Sequence, residues 1–441
     1  MFAFGVYACL SIRLHQRLQT TAYDLGIFEQ AVRSYAHLRL PVSELKGPGF
    51  QLLGDHFSPV LATLAPLYRL WPSPITLLIA QAALFAIAVV PLARWAECSL
   101  GRAGAVAVTA VYGASWGIAQ AVGFDFHEVC FAVPLLAFSL AALGRGRLGA
   151  AVAWALPLLL VKEDLGLTVA VIGGLVAWKG ARRLGLVTAV AGLLGTALEV
   201  LVIIPAFSPA GSYTYWDKLP GTNSGYGPAH LLYQATIGML TPDVKVMTLL
   251  ALLAPTAFLA LRSPLVLVAL PTLAWRFFSD NPQYWGTGFQ YSAVLMPVVV
   301  AALIDALTRW PVTHVRYALT VSVAATVLMF LQAPLYQLVQ PATWHTDPRV
   351  ATTHSILDKI PSGATVAATN HLAPQLTARA TVTVFGFPGS RPNPKYIVAD
   401  VSTWDWPFAT STAVVQQLND TLGHGYRAIA HQDGIVLLHR T

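Results

Sequence analysis

Apolar runs of about twenty residues recur along the first three quarters of this chain. Each is long enough to cross a hydrocarbon core about 30 Å thick, so the chain reads as a polytopic helical membrane protein. Of its 441 residues 56% are hydrophobic and 11% charged, and mean hydropathy is +0.60. Twelve Trp and 15 Tyr fit aromatic belts at the two interfaces. The net charge of +7 falls largely in short loops, which marks topology and not a nucleic-acid footprint. Cys9, Cys98 and Cys130 sit in or beside apolar runs without motif spacing, which excludes a disulfide framework and a zinc knuckle.

The run 1–12 is short for a span and lacks a basic lead or a cleavage site. It reads as a first membrane helix shortened by a late start site, and not as a signal peptide. A polar-to-amphipathic first loop follows over 13–74. Within it Phe28, Ala31, Val32 and Tyr35 trace one helical face, and Ser58-Pro59 opens a second helical piece reaching about Leu70. Both are expected to lie along the membrane surface. Further spans are expected near 75–94, 103–122, 129–143, 148–161, 165–178, 184–207, 244–261, 265–278, 289–307 and 317–336, about eleven in all.

Short loops set the orientation. Arg94 and Arg102, Arg145 and Arg147, Lys179 with Arg182 and Arg183, Arg262, then Arg309 and Arg316 mark alternate turns as cytoplasmic. From about 340 the apolar runs shorten to strand length, at 364–369, 381–385, 396–399, 426–430 and 435–438, with a helical stretch at 412–422. That pattern predicts a small α/β domain over 341–441, placed outside by the eleven spans, following a transmembrane domain over 1–340.

The opposite loops hold the chemistry. Asp24, Asp55 and His56 lie in the first loop, Asp125, His127 and Glu128 in the second, and Lys162, Glu163 and Asp164 in the third. Lys218 and Arg276 come from later loops, and the aromatic-rich loops 213–226 and 275–291 are expected to wall an apolar slot opening toward the bilayer. Carboxylates and imidazoles gathered on one face can hold a divalent cation or supply a general base. Each also has a plainer use: Asp24 and Asp125 fit helix caps, 162–164 fits a solvated turn, and Glu199 inside a span fits a structural hydrogen-bond partner.

Tyr23-Asp24-Leu25-Gly26-Ile27-Phe28-Glu29-Gln30, Gly54-Asp55-His56-Phe57-Ser58-Pro59, Phe124-Asp125-Phe126-His127-Glu128 and Val161-Lys162-Glu163-Asp164 together resemble a family of predicted multipass bacterial membrane proteins, a domain of unknown function. Its organisation in turn resembles the GT-C superfamily of membrane glycosyltransferases. The resemblance implies a mainly α, GT-C-like bundle with outer surface helices in the bacterial plasma (inner) membrane. It implies transfer of a sugar from a polyprenyl-phosphate donor to a lipid or cell-envelope glycan acceptor on the non-cytoplasmic face, with no nucleic acid involved. Asp24 would be the base. Asp55, His56, Lys162, Glu163, Asp164, Lys218 and Arg276 would meet donor phosphate or substrate. Asp125-Phe126-His127 is similar to the metal motif of oligosaccharyltransferase members, which would place Mg²⁺ or Mn²⁺ among Asp24, Asp125, His127 and Glu128. Trp404-Asp405-Trp406 only loosely echoes the soluble-domain motif of those members, which speaks against protein N-glycosylation. A lipid or glycan transporter (flippase) and a non-catalytic scaffold are the rival readings. Charged mid-span residues and paired broken helices would mark a transporter, and the chain offers mainly Glu199.

Overall fold

Prolines and glycines divide the apolar runs into helices. The computed structural model describes residues 1–220 and 228–441. Among the described residues four helices are long and apolar enough to cross a membrane: Pro74–Gly113, Arg182–Phe207, Ala229–Thr256 and Val312–Phe330. Shorter apolar helices cover Glu128–Gly144, Leu148–Leu160, Leu165–Trp178, Pro264–Phe278 and Leu295–Leu307, and Phe2–Gln16 opens the chain.

Several expected spans are interrupted. The segment Pro74–Gly113 turns at Gly101, whose φ of +77° suits glycine, and the run 103–122 breaks again before Trp116. The run 244–261 stops at Pro255, after which Ala257 and Phe258 take left-handed dihedrals. Leu295–Leu307 is buried along its whole length and forms the centre of the bundle.

The hairpin of Leu165–Trp178 with Arg182–Phe207 is set by glycine. A Cβ at Gly185 would lie 2.3 Å from the Ala177 nitrogen, and one at Gly173 2.5 Å from that of Ala189. The two backbones can meet that closely only without side chains between them. Only 28% of the most apolar stretch of Arg182–Phe207 is buried, and Leu186, Val190, Leu194, Leu198 and Leu201 stand exposed on it. That surface suits lipid.

Both helical pieces of the first loop are present, as Ile27–Ala36 and as Pro59–Leu64 running into Ala65–Leu70. They are laced together by Tyr68 Oη donating to Glu29 and Arg69 donating to the Ala36 carbonyl.

The C-terminal segment builds a five-stranded mixed sheet of β1 (Thr365–Ala368), β2 (Thr381–Val384), β3 (Tyr396–Asp400), β4 (Tyr426–Gln432) and β5 (Ile435–Arg440), in the order β2-β1-β3-β5-β4. Strand alternation decides its packing. Val366, Ala368, Tyr396 and Val398 join the core of the helical body. Ala367, Ile397 and Ala399 face Val414 and Leu418 of helix Ser411–Leu422. The sheet is tied to the first loop through Gln30 Nε2 to the Val382 carbonyl at 2.9 Å, and through Arg391 to Glu44 at 2.8 Å.

Candidate functional site

Asp24 sits on a tight π-type turn, Ala22–Gly26, in which Tyr23 leaves helical geometry at φ −98°, ψ 93°. Three partners hold this turn. The buried Asp125 carboxylate accepts from the Thr21 N–H at 3.0 Å and from the Thr21 hydroxyl at 2.5 Å. Asn370, from the C-terminal segment, accepts from the Ala22 N–H at 2.8 Å through its backbone carbonyl and from the Tyr23 N–H at 3.3 Å through its side chain. Gly26 presses against Leu45, where a Cβ would come within 2.7 Å.

The turn presents Asp24 Oδ2 at 2.6 Å from His127 Nε2. His127 is itself fixed: its N–H donates to Gln81 Oε1 at 3.0 Å while Gln81 Nε2 donates to the Asp125 carbonyl at 2.8 Å. Burial opposes charge on Asp24, but the His127 imidazolium, with Lys46 and Lys162 further off, holds its pKa below the usual carboxylate value. Burial likewise lowers that of His127, and Asp24 more than offsets it, so His127 is raised. The two form an ion pair. Asp125 is different: burial pushes its carboxyl up to about 7 in spite of the Thr21 hydrogen bonds.

Asp24 and His127 line a cavity of about 690 Å³. Its polar end also holds His56, Glu128, Lys162, Glu163, Asp164 and Lys218. Lys162 Nζ pairs with Glu128 at 2.9 Å, and His56 Nδ1 with Glu163 at 2.7 Å. Tyr213 Oη donates to Glu163 at 3.0 Å and Trp275 Nε1 to Asp164 at 3.0 Å. Burial works against the Lys162 ammonium, yet Glu128, Glu163 and Asp164 raise its pKa, so it stays charged. Glu163 lies at about 2, because His56 and Lys162 overcome its burial, and burial lifts Asp164 to about 6. The apolar end runs along the exposed helix Arg182–Phe207 through Leu193, Ala197, Val200 and Leu201, facing Met239 and Phe278.

The expected aromatic walls are there: Tyr213, Tyr215, Trp275, Tyr284 and Tyr291 all line the cavity. Tyr226, at the end of the expected aromatic loop, lies outside the described residues. Three of the expected site residues are turned elsewhere. The Arg276 guanidinium is fully buried and spent on the carbonyls of Tyr284 and Gly286, at 2.8 Å each, and on Ser292 Oγ at 3.1 Å. It braces the loop instead of meeting phosphate. Asp55 is outside the cavity lining, paired with Lys46 at 2.5 Å and with Tyr215 Oη at 3.3 Å. Asp125 is committed to Thr21. With Asp125 so held and Glu128 on Lys162, the four expected cation ligands do not gather, and among the described residues no group of three or more His, Cys, Asp or Glu side chains could hold a metal ion.

Gln81, Asn370 and Lys46 were not legible as site residues. The one visible signal was Gln81, a lone amide in the apolar run 75–94, where a polar group needs a partner.

A family model described as Predicted membrane protein (DUF2079) matches residues 14–437. The chain belongs to this family. No curated protein matches its sequence. Among solved structures it is similar to ArnT from Cupriavidus metallidurans bound to undecaprenyl phosphate, at TM-score 0.54 and 14% identity, covering 99% of this chain and 96% of that one. The same ArnT in the apo state gives TM-score 0.53 and 13% identity over the same shares. This DUF2079 chain thus has an ArnT-like fold along nearly its full length.

Proposed function

We propose that the protein is an inverting membrane glycosyltransferase, moving a sugar from a polyprenyl-phosphate donor to a lipid or cell-envelope glycan acceptor on the non-cytoplasmic face. The observation that carries this reading is the cavity itself, an apolar slot beside a lipid-facing helix ending at Asp24, His127 and Lys162. The fold shared with ArnT, solved with undecaprenyl phosphate bound, supports it.

The polyprenyl chain lies along Leu193–Leu201, and its phosphate enters the polar end. Asp24 takes the proton of the acceptor hydroxyl as that oxygen bonds to the anomeric carbon. The bond from the same carbon to phosphate breaks, and the electron pair leaves on the phosphate oxygen. Lys162, Lys218 and His56 meet the charge that grows there. One carboxylate suffices for a single displacement. His127 keeps Asp24 ionised and aimed. A divalent cation is given no step, because the side chains expected to hold it are engaged elsewhere. In this reading the chain crosses the bacterial plasma membrane eleven times, with 341–441 outside.

The test is sugar transfer from radiolabelled polyprenyl-phosphate donors in membranes containing the protein, with and without chelator. Transfer insensitive to chelator is expected. Absence of transfer from every polyprenyl-phosphate sugar tried, with undecaprenyl phosphate also failing to bind, contradicts the reading. Loss of transfer on chelation restores the cation.

A further inference from the structure

The cavity accounts for a lipid phosphate and a base but leaves the second substrate without a place. The Asp24 turn has another neighbour. Tyr23, next to Asp24 in the chain, centres its ring 4.6 Å from that of Trp406 and 5.9 Å from that of Phe387, and those two lie 5.3 Å apart. Trp404 and Trp406 are 67% and 38% exposed. Between them, buried Asp405 accepts from the His371 N–H and holds the His371 ring at Nδ1, both at 2.9 Å. That contact orients the ring. Its Nε2 makes no hydrogen bond among the described residues, although 45% of the side chain is exposed. None of these residues lines the cavity.

A pyranose offers an apolar C–H face and a rim of neutral hydroxyls. Its complement is an aromatic face with a few placed hydrogen-bonding groups. Here those groups are two exposed indoles on either side, in the chain, of the buried carboxylate that aims the His371 imidazole, a pair without surplus charge when His371 is protonated.

We propose that this seam between the first loop and the C-terminal sheet is the acceptor subsite, and that it binds a saccharide by stacking on Trp404 and Trp406 and hydrogen bonding to His371. The subsite rests on the glycosyl-transfer reading. It brings the acceptor to the Asp24 turn from the side opposite in role to the donor cavity, and it gives the C-terminal segment a share in the reaction.

Saturation-transfer NMR on the full chain in nanodiscs tests this. Cellotetraose, mannotetraose and chitotetraose are the free-glycan probes, and octyl glucoside is the lipid-borne sugar. Magnetisation is expected to reach the ring protons of at least one probe. Trp404→Ala and His371→Ala should each weaken that binding about fivefold or more. Trp404 is the cleaner variant, because Trp406 also packs on Tyr23. A response confined to the tetrasaccharides marks a free-glycan acceptor, and one confined to octyl glucoside a lipid headgroup. Undecaprenyl phosphate binding is the reference, expected unchanged in Trp404→Ala and His371→Ala. No response from any probe, or a response those two variants leave unaltered, overturns the subsite while lipid-phosphate binding keeps the donor site standing. Failure of the wild type to bind undecaprenyl phosphate strikes the donor reading itself.

Discussion

Asp24 Oδ2 and His127 Nε2 meet at 2.6 Å across 103 residues of chain. The sign of their pH dependence follows from the two shifts. Asp24 lies below its ordinary 3.8, so its share of stability is present above that value and lost as pH falls through its folded pKa. His127 lies above its ordinary 6.5, so its share is complete below 6.5 and lost as pH rises through its folded pKa. The thermal-stability gap between wild type and His127→Gln should therefore be widest between 3.8 and 6.5 and narrow as pH rises. A gap constant with pH would exclude the ion pair.

Asp125 acts as a latch on Thr21 and needs only acceptor oxygens. Asp125→Asn should keep transfer within about threefold, whereas Asp125→Ala strands the Thr21 N–H, at about 1–3 kcal/mol, leaves the Thr21 hydroxyl only the Tyr23 carbonyl, and should lose tenfold or more. Equal loss in both variants would point to a charged role such as a metal ligand. Difference infrared spectra give a second measure: a protonated carboxyl band that disappears with a midpoint near pH 7 and is absent in Asp125→Asn.

Asn370 reaches the Asp24 turn from the C-terminal segment. Asn370→Ala should lower kcat with donor binding unchanged, and Asn370→Asp, which keeps an acceptor oxygen, should recover part of the loss. Weakened donor binding in Asn370→Ala would assign Asn370 to general stability instead.

The glycine-packed hairpin carries the cavity wall. Gly185→Ala puts a Cβ onto the Ala177 backbone and should cost about 1–3 kcal/mol, with weaker undecaprenyl phosphate binding as the wall moves. Gly174, with nothing within 4 Å of an added Cβ, is the control, and Gly174→Ala should be silent. Thermal shift and lipid binding on the pair would decide.

How far the sequence could be read depended on the kind of force involved. β1 to β5 were visible as short apolar runs because alternation across a sheet leaves a local trace. Asp24 and His127 stood out because nothing in packing asks for them beside membrane helices. Their contact did not, since only the folded bundle brings turns so distant together. Arg276 looked like a phosphate ligand by type, yet whether a guanidinium turns outward or onto loop carbonyls is decided by packing. The same holds for Asp125, whose carboxylate is spent on Thr21, and for Asn370, whose role exists only once the sheet docks. Spans 103–122 and 244–261 look continuous in hydropathy because backbone breaks at Ala114 and Ala257 leave the side chains apolar.

Transfer by Asp24→Asn tests the central claim most directly. Full-length wild type and variant, inserted to equal levels in membranes, are given a radiolabelled polyprenyl-phosphate sugar at saturating concentration. Loss of an effective general base lowers the rate about 10²–10⁴-fold, so the variant should fall by that amount while still binding undecaprenyl phosphate as the wild type does. Transfer at the wild-type rate by Asp24→Asn would contradict the mechanism.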